Sequence, residues 1–262
     1  TKISGLCFGL CSNLTGALTF PNTATEIGTE SFQSCSGFDN ELKLPDELST
    51  ISDFAFEDCS GFIGSLKIPN LVFSIGRESF SGCSSFNGTL TLSESLITIS
   101  DRAFIGCEKF TGSLIFPNSV ELIGSGAFSE CFGFNGTLKL SDKLIAIYDF
   151  AFRGCIGLCR DLFFPNSLKQ INSKAFQNCS RLSGSLVMPK AMTIVQSYTF
   201  QGCFGFNGTL TLPEKLTFIY NNAFDHCSGF TESLNIPSSV YKIGAEAFEI
   251  ARIHWLVDSS LE

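Results

Sequence analysis

Cysteine is the residue type in this chain most able to do chemistry, with 12 among 262 residues. Cysteine thiolates can pair as disulfides, hold metal ions or act as nucleophiles. Ten of the cysteines recur at a constant interval of 24 residues, with no insertion or deletion between them: Cys11, Cys35, Cys59, Cys83, Cys107, Cys131, Cys155, Cys179, Cys203 and Cys227. The role of these thiols depends on how a repeat of this length places them.

Other residues keep the same 24-residue period. A phenylalanine stands three residues before each of these cysteines, a leucine stands seven residues after it, and all eight prolines share one slot. Self-similarity at a short fixed period indicates a solenoid, in which each repeat buries its apolar face by stacking on its neighbours. We therefore predict one array of about ten coils over residues 1–250, followed by a C-terminal cap or tail over residues 251–262.

Each repeat contains three apolar motifs that predict its local structure. Leu138 and Leu140 alternate with polar residues, as in a half-buried strand, and Leu144 and Ile147 predict a turn leading into a second short extended piece. The small residue before the aromatic, as in Ala151 and Phe152, predicts a single helical or 3₁₀ turn. Strands stacked ~4.8 Å apart would give ten coils a length on the order of 50 Å.

This stack predicts that the ten periodic cysteines are buried, unpaired thiols. Side chains in one slot of a parallel stack run side by side at the coil spacing, which is wider than the ~3.8 Å Cβ separation of a disulfide. The Cys-x-x-Cys spacing typical of metal sites is absent from the sequence. Cys7 replaces a small core residue, so we expect it to be buried too. Cys159 stands where other repeats have asparagine, which predicts a surface turn and a reactive free thiol.

The remaining catalytic residue types do not form a recognisable constellation. The chain has two histidines, His226 and His254, and the repeat places no catalytic partner beside either. Carboxylates such as Asp101 and Asp149 are scattered over variable slots, and no insertion interrupts the repeat to build a site. We predict that the protein is not an enzyme and needs no cofactor or metal.

Charge and hydropathy exclude two further classes. The formal net charge of −8 argues against nucleic acid as a partner, because proteins that track phosphates carry a basic stripe. No apolar run approaches the ~20 residues that cross a bilayer, so we expect no membrane span in this segment. A hydrophobic content of 44% with 28 phenylalanines indicates a large linear core.

The consensus Leu-x-apolar-Pro-x-x-Leu-x-x-Ile-Gly-x-x-Ala-Phe-x-x-Cys, seen from Leu114 to Cys131 and from Leu234 to Phe248, resembles the BspA-like leucine-rich repeats. The resemblance covers nearly the whole chain and implies a β-rich α/β solenoid, a right-handed superhelix with parallel strands and short 3₁₀ or helical turns. The Phe-Asn-Gly-Thr-Leu insertion, which extends the family's commoner 23 residues to 24, resembles its protozoan branch.

The resemblance also implies a function and a location. Members of this family are surface or secreted proteins of bacteria and protozoan parasites, associated with adhesion to host cells, matrix proteins and other microbes, and the family has no catalytic residues to carry over. The partners that the resemblance implies are host cell-surface or matrix proteins or glycans. It implies a non-catalytic adhesin at the cell surface or outside the cell. Two alternatives stay open. One is an intracellular (cytoplasmic) protein-interaction scaffold, which unpaired thiols would suit. The other is a structural element that assembles end to end through its uncovered N-terminal coil.

Binding in a solenoid is expected where side chains vary while the frame repeats. The slot between the two strand leucines carries Ile115, Lys139, Phe163 and Val187 in the middle of the array, which predicts an exposed contact patch for a partner. Random drift among threonine-like residues would give the same sequence without any contact patch. A second candidate surface carries apolar or aromatic residues on other faces of the coil: Phe132, Ile156, Phe204, Tyr148 and Tyr220.

Five Asn-x-Ser/Thr sequons offer sites for glycosylation in a secreted eukaryotic protein: Asn13, Asn87, Asn135, Asn178 and Asn207. Asn-Gly-Thr is also favourable turn sequence, which duplication of the repeat would multiply without any glycan.

Overall fold

The repeating unit of the fold is a 24-residue coil with short strands that pair with the equivalent strands of neighbouring coils. The computed structural model describes residues 1–231 and 233–251 and the backbone of residues 255–256. Over these residues the strands are β1 (Lys2–Ile3), β2 (Glu26–Ile27), β3 (Thr50–Ile51), β4 (Leu66–Lys67), β5 (Ser74–Ile75), β6 (Leu90–Thr91), β7 (Thr98–Ile99), β8 (Leu114–Ile115), β9 (Leu122–Ile123), β10 (Leu138–Lys139), β11 (Ala146–Ile147), β12 (Arg160–Asp161), β13 (Gln170–Ile171), β14 (Leu182–Ser183), β15 (Leu186–Val187), β16 (Ile194–Val195), β17 (Leu210–Thr211), β18 (Phe218–Ile219), β19 (Leu234–Asn235), β20 (Lys242–Ile243) and β21 (Trp255–Leu256).

Two rows of parallel strands run along the stack. The isoleucine row joins β1, β2, β3, β5, β7, β9, β11 and β13 in one sheet, and β16, β18 and β20 continue it. The leucine row contains the pairs β4–β6, β8–β10 and β15–β17. In both rows residues pair at the repeat distance, for example Ile99 with Ile123 and Leu114 with Leu138. The parallel, stacked coils predicted from the sequence are therefore confirmed.

The segment from the isoleucine row to the cysteine is built from turns rather than from the expected helical or 3₁₀ turn. In a representative coil the amide of Cys59 donates to the carbonyl of Phe56 (3.2 Å), and Asp58 between them has a φ of 55°. Alternate amides point away from the coil: those of Phe54, Phe56 and Asp58 donate to the next coil. A helix would keep these donors inside the segment, so stacking excludes it, and no helix occurs among the described residues. The α/β description is thus wrong, and the fold is a β-solenoid.

Phenylalanine fills the core in two columns. The ring preceding each periodic cysteine stacks on its counterpart in the next coil from Phe8 to Phe248, with centroids 5.2 to 5.8 Å apart. A second column joins Phe38 to Phe134 and is interrupted by Leu158 and Leu182. Because apolar burial is the main favourable term in folding, these columns supply much of the stability.

The coils are joined in pairs along the leucine row. In each pair an asparagine of the second coil accepts a hydrogen bond through Oδ1 from a glycine amide of the first, at 2.9 Å: Asn87 with Gly64, Asn135 with Gly112 and Asn207 with Gly184. These are the coils that carry β4–β6, β8–β10 and β15–β17. The Asn-Gly-Thr sequence is therefore a docking element between two coils.

One junction lacks strand pairing in both rows. Residues 162–171 and 186–195 face each other in adjacent coils, yet neither row continues between them in the described structure. We call this junction the seam. On one side it is bridged by β12–β14. On the other, the amide of Phe176 donates to the carbonyl of Thr199 (2.9 Å) and that of Asn178 to the carbonyl of Gln201 (2.7 Å).

The C-terminal cap predicted for residues 251–262 lies mostly outside the described residues and stays a prediction. The backbone of β21 pairs in parallel with β19 at a separation of 21 residues instead of 24. In the part of the chain that the structure covers, no helix has the length and hydropathy that a bilayer crossing requires.

Candidate functional site

The periodic cysteines form a column of buried, free thiols. Nine of them, from Cys35 to Cys227, are buried, and each Sγ donates to the carbonyl of a phenylalanine 27 residues earlier, at 3.0 to 3.1 Å. Burial raises the pKa of all nine thiols, to about 12 for Cys155 and Cys203. A neutral thiol is a weak nucleophile, so the column joins coils instead of reacting. The sequence indicated burial but not this hydrogen bond.

Three thiols stand apart from the column. Cys7 and Cys11 are exposed, so the prediction that they are buried was wrong. The reason is that their coil is covered on one side only, by the coil that contains Cys35. Cys159 is partly exposed, and its Sγ lies 3.4 Å from the carbonyl oxygen of Asn135.

His226 has a partner that the repeat did not indicate. Its Nδ1 lies 2.5 Å from Oδ1 of Asp225, the preceding residue, whose side chain is 4% exposed. Gln201 Nε2 donates to the other oxygen of Asp225 at 2.9 Å. Among the described residues, no three His, Cys, Asp or Glu side chains come together as metal ligands. His254 lies outside the described residues.

The four residues of the predicted contact patch face solvent along the leucine row. The exposed fraction is 52% for Ile115, 75% for Phe163 and 54% for Val187, and Lys139 is also exposed. Ile115 and Lys139 are paired neighbours in β8 and β10. Phe163 and Val187 line one cleft. The predicted patch is thus divided into two pairs, Ile115 with Lys139 and Phe163 with Val187, because the leucine row stops at Lys139 and resumes at Val187.

The cleft between Phe163 and Val187 has a volume of about 390 Å³ and opens at the seam. Asp161 and Lys190 supply opposite charges to its lining. Sequence reasoning missed the cleft, since the constant 24-residue spacing suggested a continuous ladder. A signal was present: Cys159, Arg160 and Asp161 replace the Asn-Gly-Thr that docks other coils.

The second candidate surface lies at the cysteine corner of the coil. Phe132, Ile156 and Phe204 are 39%, 45% and 58% exposed, and Ile156 and Phe204 line a hollow of about 550 Å³. Tyr148 and Tyr220 are half-buried elsewhere, and Tyr220 stacks on Phe218 at 4.4 Å.

All five sequon asparagines are exposed: Asn13, Asn87, Asn135, Asn178 and Asn207. In the three Asn-Gly-Thr sequences Oδ1 is occupied by the docking bond described above. Glycosylation at these positions stays a prediction.

Comparison with protein families matches the chain to the model described as BspA type leucine rich repeat region. Six copies match, over residues 1–135, 98–231 and 184–255. Comparison with curated proteins gave no match.

Solved structures with a similar fold come from several bacteria. A leucine rich cell surface protein from Faecalibacterium prausnitzii is 25% identical with a TM-score of 0.53, and the match covers 99% of this chain and 84% of that one. A leucine-rich repeat protein from Eubacterium ventriosum is 18% identical with a TM-score of 0.51, covering 91% and 83%. The T. pallidum leucine rich repeat protein is 28% identical with a TM-score of 0.46, covering 72% and 73%. With the repeat matched along almost its whole length, the chain belongs to the BspA-type leucine-rich repeat family.

Proposed function

We propose that this chain is the binding segment of a cell-surface or secreted adhesin, which attaches to host cells or matrix proteins. Leucine-rich repeat proteins are generally binding modules rather than catalysts. The observation that carries the proposal is the seam cleft, where an exposed phenylalanine and an exposed valine stand beside opposite charges. Interface hot spots combine an aromatic anchor with a pocket in this way.

Two features support the attachment role and the location. The F. prausnitzii neighbour is described as a cell surface protein. A stack of rigid coils also presents many weak contacts at once, and such contacts give avidity when they engage together. The pair Ile115 and Lys139 would extend the contact beyond the cleft.

The test replaces Phe163 by serine and measures attachment of the purified protein to host cells and to immobilised matrix proteins. Because Phe163 is 75% exposed, the variant should keep its circular dichroism spectrum while attachment falls about tenfold. The matched control is Phe73→Ser, which removes another exposed phenylalanine beside the isoleucine row. Unchanged attachment by Phe163→Ser would refute the cleft as the contact.

Two other functions each have an observation in their favour. Twelve unpaired thiols suit an intracellular scaffold, and labelling of intact cells with a non-permeant reagent separates that location from the surface. The first coil exposes Leu6 and Leu10 at 67% and 76%, which suits end-to-end self-association. If this face assembles, replacing both leucines by serine should lower the mass of the particle in solution. An unchanged mass would show that it does not assemble.

A further inference from the structure

The hollow at the cysteine corner combines apolar walls with uncharged polar groups. Ile156 and Phe204 occupy the same slot two coils apart, and Ser180 fills that slot in the coil between them. The phenylalanine-column rings of these three coils, Phe152, Phe176 and Phe200, are 5.2 and 5.4 Å apart, so the two walls stand ~10 Å from each other. The small serine between two large side chains creates the hollow.

The polar groups of the hollow are held in place by side chains behind its lining. The buried Asp225 carboxylate accepts from Gln201 Nε2 at 2.9 Å and faces His226 Nδ1 at 2.5 Å. Gln177 Nε2 donates in turn to Gln201 Oε1 at 2.6 Å. The carboxylate holds the ring through Nδ1, which leaves Nε2 for a ligand.

Asn178 completes the rim, and its side-chain carboxamide makes no hydrogen bond within the described structure. None of the residues that line the hollow is Asp, Glu, Lys or Arg. The site therefore offers an aromatic face, an aliphatic face, a free carboxamide and an oriented imidazole, and its lining contains no carboxylate, ammonium or guanidinium group to attract an ionic ligand. Pockets of this kind bind through their apolar walls and orient the ligand through a few polar groups.

We propose that this hollow binds a neutral pyranose sugar of a glycan. A pyranose ring has an apolar face of C–H groups, which would pack on Phe204, and a rim of hydroxyl groups, which would bond to Asn178 and to His226 Nε2. An extended peptide fits less well, because such peptides are held by the free backbone groups of a sheet edge, and here side chains line the site. The hollow lies on a different side of the coil from the seam cleft, so it is a second site and does not rest on the function proposed for the first.

The experiment is saturation-transfer-difference NMR on the intact chain with lactose, maltose and cellobiose at millimolar concentration. We expect transfer to the ring protons of at least one of these sugars. Phe204→Ser gives this coil the serine that Ser180 supplies in its neighbour, and it should reduce the transfer about tenfold. Asn178→Ala, which leaves the walls intact, should reduce it as well.

The matched control is Phe132→Ser, in the same slot but outside the hollow, and it should leave the transfer unchanged. Absence of transfer to all three sugars, or equal transfer in Phe204→Ser and the unaltered chain, would overturn the proposal. Transfer to peptides of a gelatin digest with none to the sugars would also overturn it. Attachment through Phe163 is measured separately, so failure here leaves that result intact.

Discussion

The buried thiol column should make the fold collapse in mild alkali. The eight thiols from Cys59 to Cys227 lie inside the stack, where burial raises the pKa to about 12 in Cys155 and Cys203 and above the ordinary value in the other six. In the unfolded chain a cysteine titrates at the reference value of 9.0. Raising the pH from 7 to 11 is therefore a perturbation directed at this column.

The direction in which pH changes the free energy of unfolding follows from proton binding in the folded and unfolded states. Above pH 9 the unfolded chain loses its thiol protons while the folded chain keeps them, so the free energy of unfolding falls as the pH rises. At pH 7 both states hold the protons and the full stability is present, and the loss begins as the pH approaches 9. Each thiol then costs a little over ~1 kcal/mol at pH 10, and the eight together cost on the order of 10 kcal/mol. Typical domains have about 5 to 15 kcal/mol in total, so unfolding is expected near pH 10.

Circular dichroism under a reductant, together with urea unfolding at pH 7, 8 and 9, measures this loss. The expected decrease between pH 7 and pH 9 is about 3 kcal/mol. A control variant carries alanine at Cys107, Cys131 and Cys155. It should be less stable at pH 7, because it loses packing and three hydrogen bonds. Its five remaining thiols should lower the free energy of unfolding by only about 2 kcal/mol between pH 7 and pH 9. A native spectrum at pH 11, or the same slope in both proteins, would refute the reasoning.

Three further predictions test the packing. A thiol reagent should modify three cysteines of the native protein and all 12 after unfolding; a larger native count would show that the column is accessible. Leu138→Ala, at a side chain that is 4% exposed, should lower the free energy of unfolding by about 2 to 5 kcal/mol, whereas the neighbouring Lys139→Ala should change it by less than about 0.5 kcal/mol. Asn135→Ala should cost about 1 kcal/mol by leaving the Gly112 amide without its acceptor, and a value near zero would show that water replaces the asparagine.

The sequence contained enough information to predict the stack, because a residue and its counterpart 24 places later must occupy equivalent environments. Leucine and isoleucine alternation predicted both strand rows, and the positions of Ile115, Phe163 and Val187 on the exposed face followed from that pattern. Burial of most of the periodic cysteines followed for the same reason.

What the sequence did not show has two causes, backbone angles that recur in every coil and local departures from equivalence. The expected helical turn was wrong because left-handed residues such as Asp58 and Glu130 turn alternate amides toward the next coil. A signal was present, since the same slot holds glycine in four coils, with positive φ in each, but it was not used. The seam arises where Arg160 and Asp161 replace Gly-Thr, a local change that leaves the period intact. The partner of His226 was missed because Asp225 occupies a slot that varies between coils.

If the described stack bends, we expect it to bend at the seam, where neither row of strands is paired. On the cysteine side the two coils stay joined by amide bonds, the stacked rings of Phe176 and Phe200, and the Cys203 thiol. The pair β12–β14 joins them before the leucine row, and between residues 162–171 and 186–195 neither row is paired. Bending at this junction would change the width of the cleft between Phe163 and Val187. A partner bound in that cleft would restrict this bending. Conversely, tension applied to the two ends of the stack would change the affinity for that partner.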